Sequence, residues 1–334
     1  MSHPVLVEVT RGALVESRHT GSVAVVDADG GRVLALGDVD QPVFPRSAVK
    51  ALQALPLVET GAADRFGLGA EELALACSSH SGEPGHVATA TRMLTRAGLD
   101  TGALKCGTHW PIHQPSAQAL AREGGVAGAV HNNCSGKHAG FLCVACAVDA
   151  DRARYIEPQN PVQCLVKSVF ENVTGATLPD EVRATDGCSV PTWAMPLTAL
   201  ARGFARFGTG VGLAPERAKA AARLRAACAA HPWHVAGSGR FCTEIMSRFG
   251  ARVFAKTGAE GVYCAALPEQ GLGIAVKCDD GAGRAAEVML AATLARFLTS
   301  DADRTTLEPF VRPALRNWNG INVGSLRPAE ALSR

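Results

Sequence analysis

Five short stretches of this chain concentrate residues able to do chemistry. The first is "FPRSAVK", Phe44 to Lys50. Ser47 and Lys50 are spaced i and i+3 just after a proline, so on a helix they share one face and the amine could reach the hydroxyl. A helix start would also favour negative charge developing there. A lysine acts as base only when neutral, so such a pair needs burial or a neighbouring cation to lower the Lys50 pKa. The ordinary alternative is a capping serine beside a solvated lysine, because Ser-x-x-Lys is a frequent chance pattern.

A second element, Lys256-Thr257-Gly258, ends a strand-like segment late in the chain. A cation, a hydroxyl and a glycine on a sheet edge suit docking of a substrate beside a nucleophile. Penicillin-recognising enzymes and serine glutaminases use Ser-x-x-Lys early and Lys-Thr-Gly late in this order. The pairing points to serine acyl transfer.

Polar clusters accompany these elements. "CSSHSGEPGH" (Cys77 to His86) offers three serines and two histidines, either a proton relay or a polar loop capping the next helix. "HNNCSGKHAGFL" crowds amides, a thiol, a lysine and histidines against an apolar helix, which demands partners for the polar groups. Cys134 with Lys137 or His138 has the local spacing of soft-metal ligands and needs a distant further ligand. "TDGCSVP" offers Asp186 and Cys188, and either cysteine could equally be an inert buried thiol. "CGTHWP" and "HPWH" read as packed turns. Walker A, G-x-G-x-x-G, H-E-x-x-H and G-x-S-x-G patterns are absent.

The elements that must position these residues follow from periodicity. The first forty residues read as strands, with a hairpin turn at Asp29-Gly30-Gly31. Helical spacing begins at "SAVKALQAL" and ends or kinks at Pro56. Further helices are expected at "GHVATATRMLTRAG", "PSAQALAREGG", Pro161 to Val173, "APERAKAAARLRAACAAHP" and "RFCTEIMSRFG". Strands return at "RVFAKTG", "GVYCAALPEQ" and "GLGIAVKCDD", followed by a helix from Ala285 to Leu298. The expected fold is α/β of the α+β kind: a mainly antiparallel sheet from about residues 1–45 and 250–334, flanked by helices, with a helical lobe between, all in one catalytic domain of residues 1–334. The terminal helix and the "SAVKALQAL" helix are expected to pack on that sheet.

The 334 residues are 47% hydrophobic and carry 33 Lys plus Arg against 31 Asp plus Glu. With a net charge of +2 and no basic run, neither nucleic acid nor a membrane surface is an expected partner. "MSHPVLVEVTRG" lacks a charged segment followed by an apolar one, and the 11 cysteines are scattered, so a cytoplasmic protein with mostly buried free thiols is expected.

Together, "QPVFPRSAVKALQALPLVETGAADRFGL", "ELALACSSHSGEPGH", "CGTHWP", "HNNCSGKHAGFL", "TDGCSVP" and "VFAKTGAEGVYC" resemble the rhizobial-type L-asparaginases, the asparaginase II family. The resemblance covers nearly the whole chain and implies a serine β-lactamase- and glutaminase-like fold. It implies hydrolysis of L-asparagine to L-aspartate and ammonia by a homodimer. It makes Ser47 and Lys50 the nucleophile pair, Ser79 and Lys256 a second serine–lysine pair, and Cys134, Lys137 and Cys188 ligands of a zinc ion (Zn2+) near the catalytic centre, modulating substrate affinity. Arg46, Asn132, Asp186 and Arg240, beside these motifs, are candidates to bind the substrate's α-carboxylate and α-amine. Rival readings are a glutaminase, a serine β-lactamase or peptidase, and a non-catalytic zinc-dependent amino-acid-binding protein.

Overall fold

A computed structural model describes residues 3–333. Its centre is a strand of 14 residues, Leu14–Asp27. The apolar segment "SVAVVDADGG" begins only in its second half, and the strand extends back to Leu14. The first half alternates exposed and half-buried residues, as a strand with one wet face does. From Gly21 to Val26 every residue is buried, because helices cover both faces there.

An eight-stranded sheet grows around this strand, every pairing antiparallel. Its order is Ala314–Arg316, Asn322–Pro328, Val5–Arg11, Leu14–Asp27, Leu272–Cys278, Val262–Leu267 and Phe254–Thr257. The strand Arg32–Leu36 also pairs with the second half of Leu14–Asp27, across the Asp29-Gly30-Gly31 turn. The sheet is therefore made from the two ends of the chain, as expected, and Lys256 lies on its edge strand. A C-terminal hairpin that periodicity did not resolve, residues 314–328, closes the other edge.

Gly283–Phe297 covers one face of the sheet. The other is covered by Leu197–Thr209, a helix absent from the sequence reading. Its buried Leu197, Leu200, Ala201, Phe204 and Phe207 have the i, i+3, i+4 spacing that reveals it. Gly273 lets this helix approach: a Cβ there would lie 1.9 Å from Ala201 O. The "SAVKALQAL" segment does not take that position. It is a 3₁₀ turn, Arg46–Val49, followed by Lys50–Gln53, and it breaks at Ala54, with Pro56 in the first turn of the next helix. Its first turn packs on the strands Phe254–Thr257 and Val262–Leu267, and the segment then enters the helical lobe.

That lobe contains Ala70–Ala76, Pro84–Arg96, Pro161–Thr174, Pro215–Ala230 and, at its centre, Ser135–Ala147. The central helix is buried from Ser135 through Ala145. At Gly136 a Cβ would meet Leu75 O at 2.4 Å, so only glycine lets this helix start lie against the end of Ala70–Ala76. That contact brings Cys134 and Lys137 next to the segment carrying Ser79. All cysteines are free thiols, and all but Cys146 and Cys164 are buried. No helix among the described residues is long and apolar enough to cross a membrane.

Candidate active site

Three elements meet where the sheet edge faces the lobe. The 3₁₀ turn Arg46–Val49 packs on the edge strands, and Gly258 makes that contact possible. A Cβ on Gly258 would lie 2.6 Å from Pro45 O and 3.3 Å from the Ala48 Cβ. Ser47 and Lys50 leave this turn in different directions. Ser47 stays half-buried at the surface of the site, while Lys50 is fully buried.

Lys50 Nζ donates to Ser79 Oγ at 3.0 Å, to Cys134 Sγ at 3.0 Å and to the Asn133 carbonyl at 3.3 Å. Three polar groups thus surround the Lys50 nitrogen. No hydrogen bond joins Lys50 to Ser47 among the described residues. Their i, i+3 spacing places them on one turn, but the buried acceptors draw the amine inward.

Lys256 reaches the same hydroxyl from the opposite side. Its Nζ lies 3.0 Å from Ser79 Oγ and 2.9 Å from Thr257 O. Lys256 is completely buried, and that desolvation pushes its pKa down to about 7. The charges of Lys50 and Arg240 push the same way, against the opposing effect of Cys242. Ser79, 3% exposed, is thus a hydroxyl bridging two buried amines.

The Ser79 segment is held by groups that motif reading passed over. Ser79 N donates to Val235 O at 2.9 Å. His80 Nδ1 accepts from Gly82 N at 3.1 Å, so its Nε2 carries the proton and donates to Ser135 Oγ at 2.8 Å. Burial, with the nearby His86 and Lys50 charges, keeps His80 neutral by depressing its pKa. His80 ties the serine segment to the start of the central helix. The crowding of "CSSHSGEPGH" hinted at this, but no local pattern names Ser135 as the partner.

Beyond Lys50 lies a sulfur-rich corner. Lys137 Nζ donates to Cys188 Sγ at 2.9 Å, and Cys188 lies beside Cys134. The neighbouring Cys188 thiol lowers the Cys134 pKa; burial opposes it, and the Lys50 and Lys137 charges assist, so Cys134 is held well below the ordinary thiol range. Burial works against the Lys137 charge, yet Cys188, Cys134 and Asp186 raise its pKa overall. Cys134, Lys137 and Cys188 come from two separate segments, and all three are buried.

The candidate substrate-binding residues divide. Arg46 Nε hydrogen-bonds Asp186 Oδ1, and Asp186 Oδ2 accepts from Cys188 Sγ at 3.3 Å. Arg46 holds a left-handed backbone, φ 50°. Burial opposes the Asp186 charge, but Lys137 and Arg46 outweigh it and hold the carboxyl below its usual range. Arg240 Nη1 approaches Ser81 Oγ at 3.4 Å, and its charge is felt at Lys256. Asn132 is already engaged. Its Nδ2 donates to Cys106 O and Gly107 O at 2.9 and 3.1 Å, and its Oδ1 accepts from Cys134 N at 2.8 Å. The amide closes the loop before the central helix rather than offering a free donor.

Residues 7–328 match the family described as L-asparaginase II. The chain belongs to that family. Membership makes it an asparaginase-type amidohydrolase with a small amino-acid substrate. No curated protein matches the chain. Among solved structures, a β-lactamase from Mycobacterium bovis aligns with a TM-score of 0.38 and 16% identity, over 80% of this chain and 89% of that one. A protein called Mglu aligns with a TM-score of 0.36 and 16% identity, over 83% of this chain and 66% of that one.

Proposed function

We propose that this L-asparaginase II family member hydrolyses L-asparagine to L-aspartate and ammonia by serine acyl transfer. The observation that carries this reading is Ser79 Oγ, 3.0 Å from both Lys50 and Lys256. A hydroxyl between two amines, one with its pKa near neutrality, is a proton relay.

Exposure divides the work between the serines. Ser47 is half-buried and open to substrate, whereas Ser79 is 3% exposed. Ser47 attacks the side-chain amide carbonyl, and its proton passes to the neutral form of Lys50, one turn away and already linked to the relay. Backbone amides at the helix start hold the oxyanion. Ser79 and Lys256 return the proton to the departing ammonia, and water then releases aspartate. Arg46 and Arg240 are the cations available to the α-carboxylate, and Asp186 the anion available to the α-amine.

The sulfur corner fits zinc. Cys134, Lys137 and Cys188 already converge, and two thiolates with a neutral amine form an acceptable borderline-soft donor set. A bound ion would fix the Cys188 loop and, through Asp186, the position of Arg46; binding would release the protons on Lys137 and Cys188. It serves substrate affinity in this reading. A homodimer and a cytoplasmic location belong to the same proposal.

Ammonia release from L-asparagine and L-glutamine, with the Ser47→Ala and Lys50→Ala variants alongside, tests the assignment. Near-normal activity in either variant overturns it. Faster turnover of glutamine would make the protein a glutaminase, and hydrolysis of nitrocefin would favour a β-lactamase-like enzyme.

A further inference from the structure

Away from the serine site, His19, Cys278 and Asp280 bring their ligand atoms within 4.8 Å of one another. His19 Nδ1 lies 2.6 Å from Asp280 Oδ2, and Cys278 Sγ donates to Asp280 Oδ1 at 2.9 Å. His19 comes from the long central strand and Cys278 ends the neighbouring one. The last pair of that ladder sets Cys278 opposite Gly21, so the ends of the two strands bring His19 and Asp280 together just past it. A separation of this size in sequence leaves no local motif.

The donor set has the chemistry of a borderline-soft divalent cation. A thiolate and a carboxylate neutralise two charges, and a neutral imidazole completes a three-residue set of the kind zinc accepts, with water as fourth ligand. His19 and Cys278 are buried, while the Asp280 side chain is 51% exposed, so an ion can enter from the carboxylate side. His19 is 5% exposed, and its Nε2 is buried with no hydrogen-bond partner. Nδ1, the nitrogen that faces Asp280, is the one placed to ligate the ion. Asp280 also has a structural duty, since its Oδ1 accepts from Ala282 N at 2.9 Å ahead of the helix Gly283–Phe297. An asparagine would perform that duty equally well but would not supply the anionic ligand.

We propose that His19, Cys278 and Asp280 bind a zinc-type divalent cation that pins the N-terminal hairpin to the turn behind Lys256. Cys278 N donates to Gly261 O at 2.9 Å, and a Cβ on Gly261 would lie 2.8 Å from the Cys278 Cβ. Gly261 belongs to the turn between the Lys256 strand and the next. An ion here therefore stiffens the support of the edge strand without touching substrate.

Chelator-treated protein titrated with Zn2+ and Co2+ tests this, comparing wild type with Cys278→Ser, Asp280→Asn and His19→Gln. Each variant is expected to bind one equivalent fewer than wild type, and Cys278→Ser to lose part of the thiolate-to-cobalt charge-transfer absorption. Asp280→Asn keeps the hydrogen bond from Ala282 N, so its loss of metal does not reflect misfolding. Cys134, Lys137 and Cys188 are intact in all three variants, so absence of zinc there lowers every count alike and leaves the difference readable. Equal metal counts in wild type, Cys278→Ser and Asp280→Asn would overturn the proposal, as would a wild type that binds no ion.

Discussion

Lys256 and Ser79, from opposite halves of the chain, meet at 3.0 Å in a fully buried contact. Lys50 approaches the same oxygen at the same distance, so the two lysines are coupled through a single hydroxyl. The serine that carries this coupling is not the serine that faces the surface, which gives the two different roles.

Those roles can be separated by substitution. Ser47→Ala is expected to lower kcat by on the order of 10³-fold or more, as loss of a covalent nucleophile does. Ser79→Ala should slow turnover through the failed proton return while leaving Ser47 able to acylate. Mass spectrometry of quenched reactions should then find the aspartyl adduct on the peptide containing Ser47. An adduct on Ser79 in the wild-type protein would reverse the assignment.

The buried amine predicts a pH dependence. Lys256 has its pKa lowered from 10.5 to about 7, so the folded protein binds fewer protons there than the unfolded chain between those values. Stability contributed by this site therefore rises with pH from about 7 to about 10.5, and the charged amine costs stability below about 7. The relay needs the neutral amine, so kcat should rise through an inflection near pH 7. Lys256→Arg, which stays charged, should remove that inflection in a pH–rate profile.

Asp186 links the Arg46 turn to the sulfur corner. Asp186→Asn keeps the size of the side chain but loses the ion pair with Arg46 and weakens the hold on Cys188. Zinc affinity at Cys134, Lys137 and Cys188 should fall by about 10–100-fold, the usual cost of losing an outer partner of a metal ligand. KM should rise more than kcat falls. Competition with a chromophoric chelator measures the first effect and steady-state kinetics the second.

Gly273 is expected to be intolerant of any side chain. Its missing Cβ is the space occupied by Ala201 O and Ala205 N. Gly273→Ala must push the helix Leu197–Thr209 off the sheet, at a cost of about 3 kcal/mol or more. A fall in Tm, with the secondary structure by circular dichroism preserved, is the expected result.

Local pattern carried much of this protein. The Pro161–Thr174 helix, the strands around Lys256 and the break ahead of Pro56 follow from apolar spacing and backbone chemistry, which act over a few residues. Leu197–Thr209 was equally periodic, but Gly203 and Gly208 lower its helix propensity, and its close contact with Gly273 is what selects it. The short strands 314–316 and 322–328 gain their definition from pairing with Val5–Arg11, a partner that local pattern does not contain.

The same division runs through the site. By itself the sequence determined which residue types stand ready: a serine and lysine one turn apart, a late Lys-Thr-Gly, and a cluster of thiols and amines. Only the tertiary structure decided how they associate. It turned Lys50 inward to Ser79 and Cys134, joined Lys137 to Cys188, engaged the Asn132 amide on its own loop and set His19 beside Asp280. The physical reason is burial. Once an amine is removed from water it must find acceptors, and which acceptors lie within 3 Å depends on how distant segments pack, not on their spacing along the chain.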